Sequence, residues 1–159
     1  MAINKRRKKQ VWTVGDLFTI PLADGSFCIG RVIEFEPKAL NSVICAFYTH
    51  RVDKIPNEEP VLSNDELISV LFVTRDLLDS GAWKVFSSSS EDFSLSKYFD
   101  ISSLRNVGFV GVKIIGSGLI IELLNAYYML SLWNDYANPD YLDSLLLSPD
   151  KKPKNVLLK

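Results

Sequence analysis

Residues 15–37 read GDLFTIPLADGSFCIGRVIEFEP, and the fold class turns on them. Apolar residues fill two runs: Leu17, Phe18, Ile20 and Leu22 before Ala23-Asp24-Gly25-Ser26, then Phe27, Ile29, Val32, Ile33 and Phe35 after it. Asp-Gly between two apolar runs predicts a β-hairpin, because glycine supplies the positive φ that the primed turns need. Pro21 has no N–H to give to a ladder, which predicts an edge position or a bulge for the first strand.

VICAFYTHRV from Val43 to Val52 predicts a third strand, and its imperfect alternation predicts cover on both faces, at least in part. Pro56 and Pro60 around Asn57-Glu58-Glu59 make 55–63 an acidic loop. Leu67 to Thr74 reads as a buried strand, Asp76 to Gly81 as a turn, and the residues around Trp83 to Phe86 as a short strand. The serine-rich stretch from Ser87 to Asp92 is a polar loop. VGFVGVKII, from Val107 to Ile115, is expected to be the last strand, with Gly108 and Gly111 marking a bulge or a close backbone approach. From Leu119 the period changes, and Ile120, Leu123, Leu124, Tyr127 and Leu130 fall at helical spacing. Asn138 as N-cap with Pro139 behind it predicts a second short helix carrying Leu142, Leu145 and Leu146 on one face. Strands first and helices last predict an α+β fold: a twisted, largely antiparallel sheet, open or barrel-like, covered on one side by a C-terminal helix with a short second helix after it. The expected core includes Phe18, Ile20, Ile29, Val32, Phe72, Val110, Leu123 and Leu124.

With 159 residues, 47% of them hydrophobic, the chain can bury a full core without disulfides or metals. A charged share of 23% and a net charge of −1 exclude collagen-like, mucin-like and polyelectrolyte classes. That balance hides an asymmetry. Lys5, Arg6, Arg7, Lys8 and Lys9 hold five of the 18 basic residues, and without them 13 basic residues face 19 acidic ones, a balance of −6. Adjacent like charges repel and stay solvated, so residues 1–10 are expected to be a flexible basic stub and residues 11–159 one domain. A nucleic-acid partner would need basic residues recurring along a face with aromatics between them, and they do not recur. No apolar leader region with a small-residue cleavage site follows the basic start, and the uncharged stretch from Leu123 to Asn134 is too short to span a bilayer. The expected compartment is therefore the cytoplasm, with no membrane partner.

Catalytic chemistry finds little support. The one histidine, His50, lies in a strand-like run without a GxSxG elbow or a Cys/His signature. Cys28 and Cys45 sit among apolar residues and form no CxxC pair, which predicts inert thiols and no zinc site. Gly108, Gly111, Gly116 and Gly118 match neither GxGxxG nor GxxxxGK[ST], so no phosphate loop is indicated. No EF-hand spacing appears among the carboxylates. No catalytic residue, cofactor or metal is expected, and the chain reads as a non-enzyme. The carboxylates matter as a group, because acidic loops steer a basic partner and can vary without disturbing a core. Asp53, Glu58 and Glu59 on one loop and Glu91 and Asp92 on another are the expected partner-binding residues.

Three stretches together carry a family resemblance: KRRKKQVWTVGDLFTIPLADGSFCIGRVI over 5–33, GSGLIIELLNAYYMLSLWND over 116–135, and NPDYLDSLLLSPDKKPKN over 138–155. They resemble the immunity protein 26 family, cytoplasmic bacterial proteins that guard producing cells against polymorphic toxins. The resemblance implies a non-catalytic inhibitor of one cognate protein toxin. A basic nuclease-type toxin is compatible with the acidic body. No binding residues come with the resemblance, and residues 53–105 contribute no motif to it. The alternative class is a small-barrel module for nucleic acid or peptide, with Trp12, Phe18 and Phe27 in its groove and the basic stub on phosphate.

Overall fold

The computed structural model describes residues 9–159, so most of the basic stub lies outside the described residues. The hairpin forms as its sequence predicts. Strand β1 (Asp16–Pro21) pairs antiparallel with β2 (Phe27–Glu36), setting Leu17 opposite Arg31 and Pro21 opposite Phe27. Its turn differs from a primed pair. Leu22 N donates to Ser26 O at 2.8 Å, Gly25 N donates to Leu22 O at 3.1 Å, and within the loop only Gly25 is left-handed, at φ +85°. This is the three-residue loop in which an ordinary turn ends on a left-handed glycine. The cause is local, since the Asp24 carboxylate accepts from Ser26 N at 3.0 Å and Ser26 Oγ at 2.6 Å. Those two bonds, with a smaller contribution from the paired Arg51, hold the Asp24 carboxyl below its usual range.

Strands β3 (Ser42–Val52), β4 (Leu67–Val73), β5 (Lys84–Ser88) and β6 (Ile114–Ile115) complete a sheet in the order β5-β1-β2-β3-β4-β6. Every pairing is antiparallel except β4 with β6. The sheet is mixed and open, not a barrel, with β5 and β6 as its free edges. The first strand is therefore interior rather than at the edge that was one of the two expectations from Pro21, and its ladder to β5 carries a register shift between Leu17 and Phe18. Proline is tolerated because β5 follows β1 only from Asp16 to Thr19, and Pro21 lies past that ladder.

The short helix α1 (Asp76–Ser80) lies between β4 and β5, and both faces of the sheet are covered. On one, Phe18, Cys28, Val32, Cys45 and Phe47 meet Ile120, Leu123 and Leu124 of α3 (Ser117–Tyr127) and Leu142 and Leu145 of α4 (Tyr141–Leu145). On the other, Ile33, Ile44, Ala46, Tyr48 and Phe72 are covered by Phe93, Tyr98, Phe99, Phe109 and the helical turn α2 (Ile101–Asn106). The C-terminal helix covers one face as expected, and the partial second cover predicted from the alternation of the third strand comes from 93–112, which builds a layer of short irregular pieces. The strand expected over 107–115 shrinks to two residues for the same reason. Gly108, Phe109 and Gly111 all take positive φ, and of the stretch Val107–Val110 only Phe109 turns inward, 6.0 Å from the ring of Phe72. Helix α4 also starts later than expected. Asn138 does not cap it but accepts from Asp140 N at 3.0 Å, a tight turn ahead of the helix.

Seven of the eight expected core residues are buried, and Val110 is 78% exposed. Leu123→Ala should then lower the unfolding free energy by about 2–5 kcal/mol, and Val110→Ala should stay within about 0.5 kcal/mol of the parent. Urea unfolding of the two variants checks the pair.

Candidate functional site

Side chains alternate across a strand, so Ile29, Arg31 and Ile33 of β2 share one face. Arg31 stands opposite Leu17 of β1 and Ala46 of β3. Leu17, Arg31 and Tyr48 form the floor of a cleft of about 210 Å³. Residues of the loop before β4 (Glu59, Pro60, Leu62 and Asn64) and of the loop after β5 (Ser89, Glu91 and Asp92) complete its lining.

Local chemistry fixes both loops. Gly15 is left-handed at φ +93° and lies so close to the second loop that a Cβ there would sit 2.8 Å from Ser89 O. Ser89 N donates to Gly15 O at 2.8 Å, and Glu91 N donates to Ser89 Oγ at 3.3 Å. Asp16 accepts from Thr13 N at 2.9 Å, which sets the entry into β1. The Gly-Asp pair that opens the hairpin therefore also holds one wall of the cleft. On the other side, Ser63 Oγ accepts from Asp65 N at 3.2 Å, and Lys151 Nζ reaches Asp65 O at 2.9 Å.

The electrostatics are divided between floor and rim. Arg31 is 9% exposed, and its guanidinium donates to the main-chain oxygen of Glu91 and lies 5.7 Å from the Phe93 ring centroid. Its Nε has no acceptor, and among the described residues no carboxylate forms an ion pair with it. Burial raises the Tyr48 phenol above its ordinary range, against the opposing pull of the neighbouring Arg31 charge. Glu59, Glu91 and Asp92 stand exposed around the opening. The arrangement is a buried cation beneath an anionic rim, suited to recognition of a charged surface.

Three of the five expected partner-binding carboxylates, Glu59, Glu91 and Asp92, thus meet at one cleft, while Asp53 and Glu58 are exposed but do not line it. Arg31, Tyr48 and Asn64 were not singled out from the sequence. A signal for Arg31 was present, since a charge between Ile29 and Ile33 falls on an otherwise apolar strand face.

Elsewhere the chemistry is quiet. Desolvation pushes the Cys28 thiol up to about 12 and raises Cys45 as well, which favours the protonated form of both near neutral pH. His50 is half-buried, with Nδ1 3.8 Å from the Glu66 carboxylate. The start of α3 is taken by its own neighbours: Ser117 Oγ donates to Asp76 at 2.6 Å and Ser117 N to Thr74 Oγ1 at 2.9 Å. Phe18 is fully buried and Trp12 Nε1 is committed to Asp79 at 2.8 Å, so Trp12, Phe18 and Phe27 form no common open groove. Among the described residues, no group of three or more His, Cys, Asp or Glu side chains is placed to hold a metal, and no helix is long and apolar enough to cross a membrane.

A protein-family model described as Immunity protein 26 matches residues 13–109, from the entry into β1 through α2 and so including every residue that lines the cleft. Helices α3 and α4 lie outside the matched stretch. No curated protein and no solved structure matches the chain.

Proposed function

The chain belongs to the immunity protein 26 family, and we propose that it neutralises one cognate bacterial protein toxin by non-catalytic binding, with the cleft over β1 to β3 at the centre of the interface. The observation that carries this reading is that two acidic loops, far apart in sequence, converge on one cleft inside the stretch the family model matches. Carboxylates around the opening accelerate encounter with a basic surface and fix its register. On the same rim loop Val61 is 89% exposed, an apolar side chain available to be desolvated by a partner. A basic toxin, such as a nuclease domain, is the partner this charge pattern fits. The inhibitor acts in the cytoplasm by occupying the toxin's active site or an essential surface, and its own side chains turn nothing over. Asp53 and Glu58 flank the interface on the first loop.

Growth protection tests this. Co-expression of the chain should rescue cells producing the protein toxin encoded beside it. His50→Gln, Cys28→Ala and Cys45→Ala variants that remain folded should protect as well as the parent. Loss of protection in a folded His50→Gln variant would instead point to catalysis or to His50 in the interface.

A further inference from the structure

We infer that the cleft floor is a carboxylate-binding subsite, built to receive an acidic side chain that the docking protein presents among basic ones. The inference rests on the toxin-binding reading above and specifies the chemistry of the partner's contact residue.

A guanidinium carries five N–H donors and never loses its charge. Buried charges in proteins are paired, because an unpaired one forfeits its hydration without compensation. Arg31 is more than nine-tenths buried, yet its partners are neutral groups, the Glu91 carbonyl and the neighbouring Tyr48 phenol, its Nε has no acceptor, and it has no ion-pair partner among the described residues. The remaining polar groups that line the floor and walls, Tyr48, Asn64 and Ser89, can all donate hydrogen bonds to an anion. A carboxylate entering here gains a charge-assisted bond to Arg31 that none of the rim carboxylates makes.

The rim decides which carboxylate can enter. Glu59, Glu91 and Asp92 repel a free small anion, and they attract the basic residues beside an acidic one on a protein surface. Floor and rim together select a cation–anion–cation pattern. A cleft of about 210 Å³ has room for one side chain rather than a whole cofactor.

The probe is the peptide N-acetyl-Lys-Glu-Lys-amide, with N-acetyl-Lys-Gln-Lys-amide and sodium acetate as comparisons. The readout is the Arg31 Nε–H resonance in the ¹⁵N–¹H spectrum of the full chain, assigned by its absence in Arg31→Lys. The Glu peptide should shift that resonance saturably and bind about tenfold more tightly than the Gln peptide. Acetate should bind more weakly than the Glu peptide. Tyr48→Phe, which keeps the ring and needs no loss of the buried arginine, should weaken the Glu peptide by about fivefold. Equal binding of the two peptides, or an Arg31 resonance that none of the three probes moves, overturns the subsite. A separate pull-down with the toxin encoded beside this chain keeps the two readings apart. Toxin binding without a Glu-peptide response removes the subsite alone. A Glu-peptide response with no toxin binding supports the subsite and removes the toxin reading.

Discussion

Trp83→Ala should lower the unfolding free energy by about 3–5 kcal/mol, the cost of emptying a large aromatic site in a core. For a chain of this size that corresponds to a fall of roughly 6–20 °C in Tm. Trp83 is fully buried on the α3 side of the sheet, stacked on Phe18 with ring centroids 5.2 Å apart and set edge-on to Phe47 at 5.8 Å. The stack has no slack behind it, because a Cβ on Gly30 would overlap the Phe18 ring. Trp83 Nε1 has no hydrogen-bond acceptor, so part of the tryptophan's contribution is already offset by a buried unpaired donor. Trp83→Phe removes that donor and leaves less empty volume, and it should cost clearly less than the alanine variant. Urea unfolding of the three proteins measures this, and a loss below about 1 kcal/mol for Trp83→Ala would place the centre of the core elsewhere.

The second large effect is on association. Reversing Glu59, Glu91 and Asp92 together to lysine changes the charge of the cleft rim without touching a buried side chain. Rim charges act chiefly on the encounter rate, and steering of this kind raises on-rates from about 10⁵–10⁶ toward 10⁸–10⁹ M⁻¹s⁻¹ at low salt. The triple variant should associate with the toxin about 10–100-fold more slowly at low ionic strength. The gap should close near 1 M salt, where the screening length falls to about 3 Å. A matched variant with Glu122, Asp135 and Asp140 reversed carries the same net charge, but none of these residues lines the cleft. It should lose much less. Stopped-flow association of both variants across a salt series separates steering at the cleft from a general effect of net charge, and equal losses would move the interface away from the cleft.

Much of the architecture is legible in residues 15–37, because there the controlling interactions are local. The Asp24-Gly25 turn and the alternation of β2 each depend on groups a few residues away, whereas the left-handed Gly15 is set by its contact with Ser89. Gly-Arg-Val at 30–32 combines three demands: close approach of the Phe18 ring at Gly30, the cleft floor at Arg31 and the α3-side core at Val32. Where contacts are distant, sequence periodicity misleads. VGFVGVKII has the β-branched and aromatic composition of a strand, yet its glycines permit a left-handed turn, and a single anchor, Phe109 against Phe72, outweighs the propensity of the valines. The second layer over 93–112 has no period to detect, since each short piece contributes only one or two inward side chains. The acidic loops are visible as carboxylate clusters. That Glu59 and Glu91 share a rim, and that Asp53 does not, follows only from the strand order that carries both loops to the same face.

On the proposed function, this member of the immunity protein 26 family works as a stoichiometric binder. The most direct measurement titrates the purified chain into the purified toxin domain encoded beside it, following heat and residual toxin activity in the same samples. One-to-one binding, with toxin activity falling in step and vanishing at equivalence, is the predicted result. No complex, or loss of toxin activity at a small fraction of equivalence as a catalyst would cause, would contradict it.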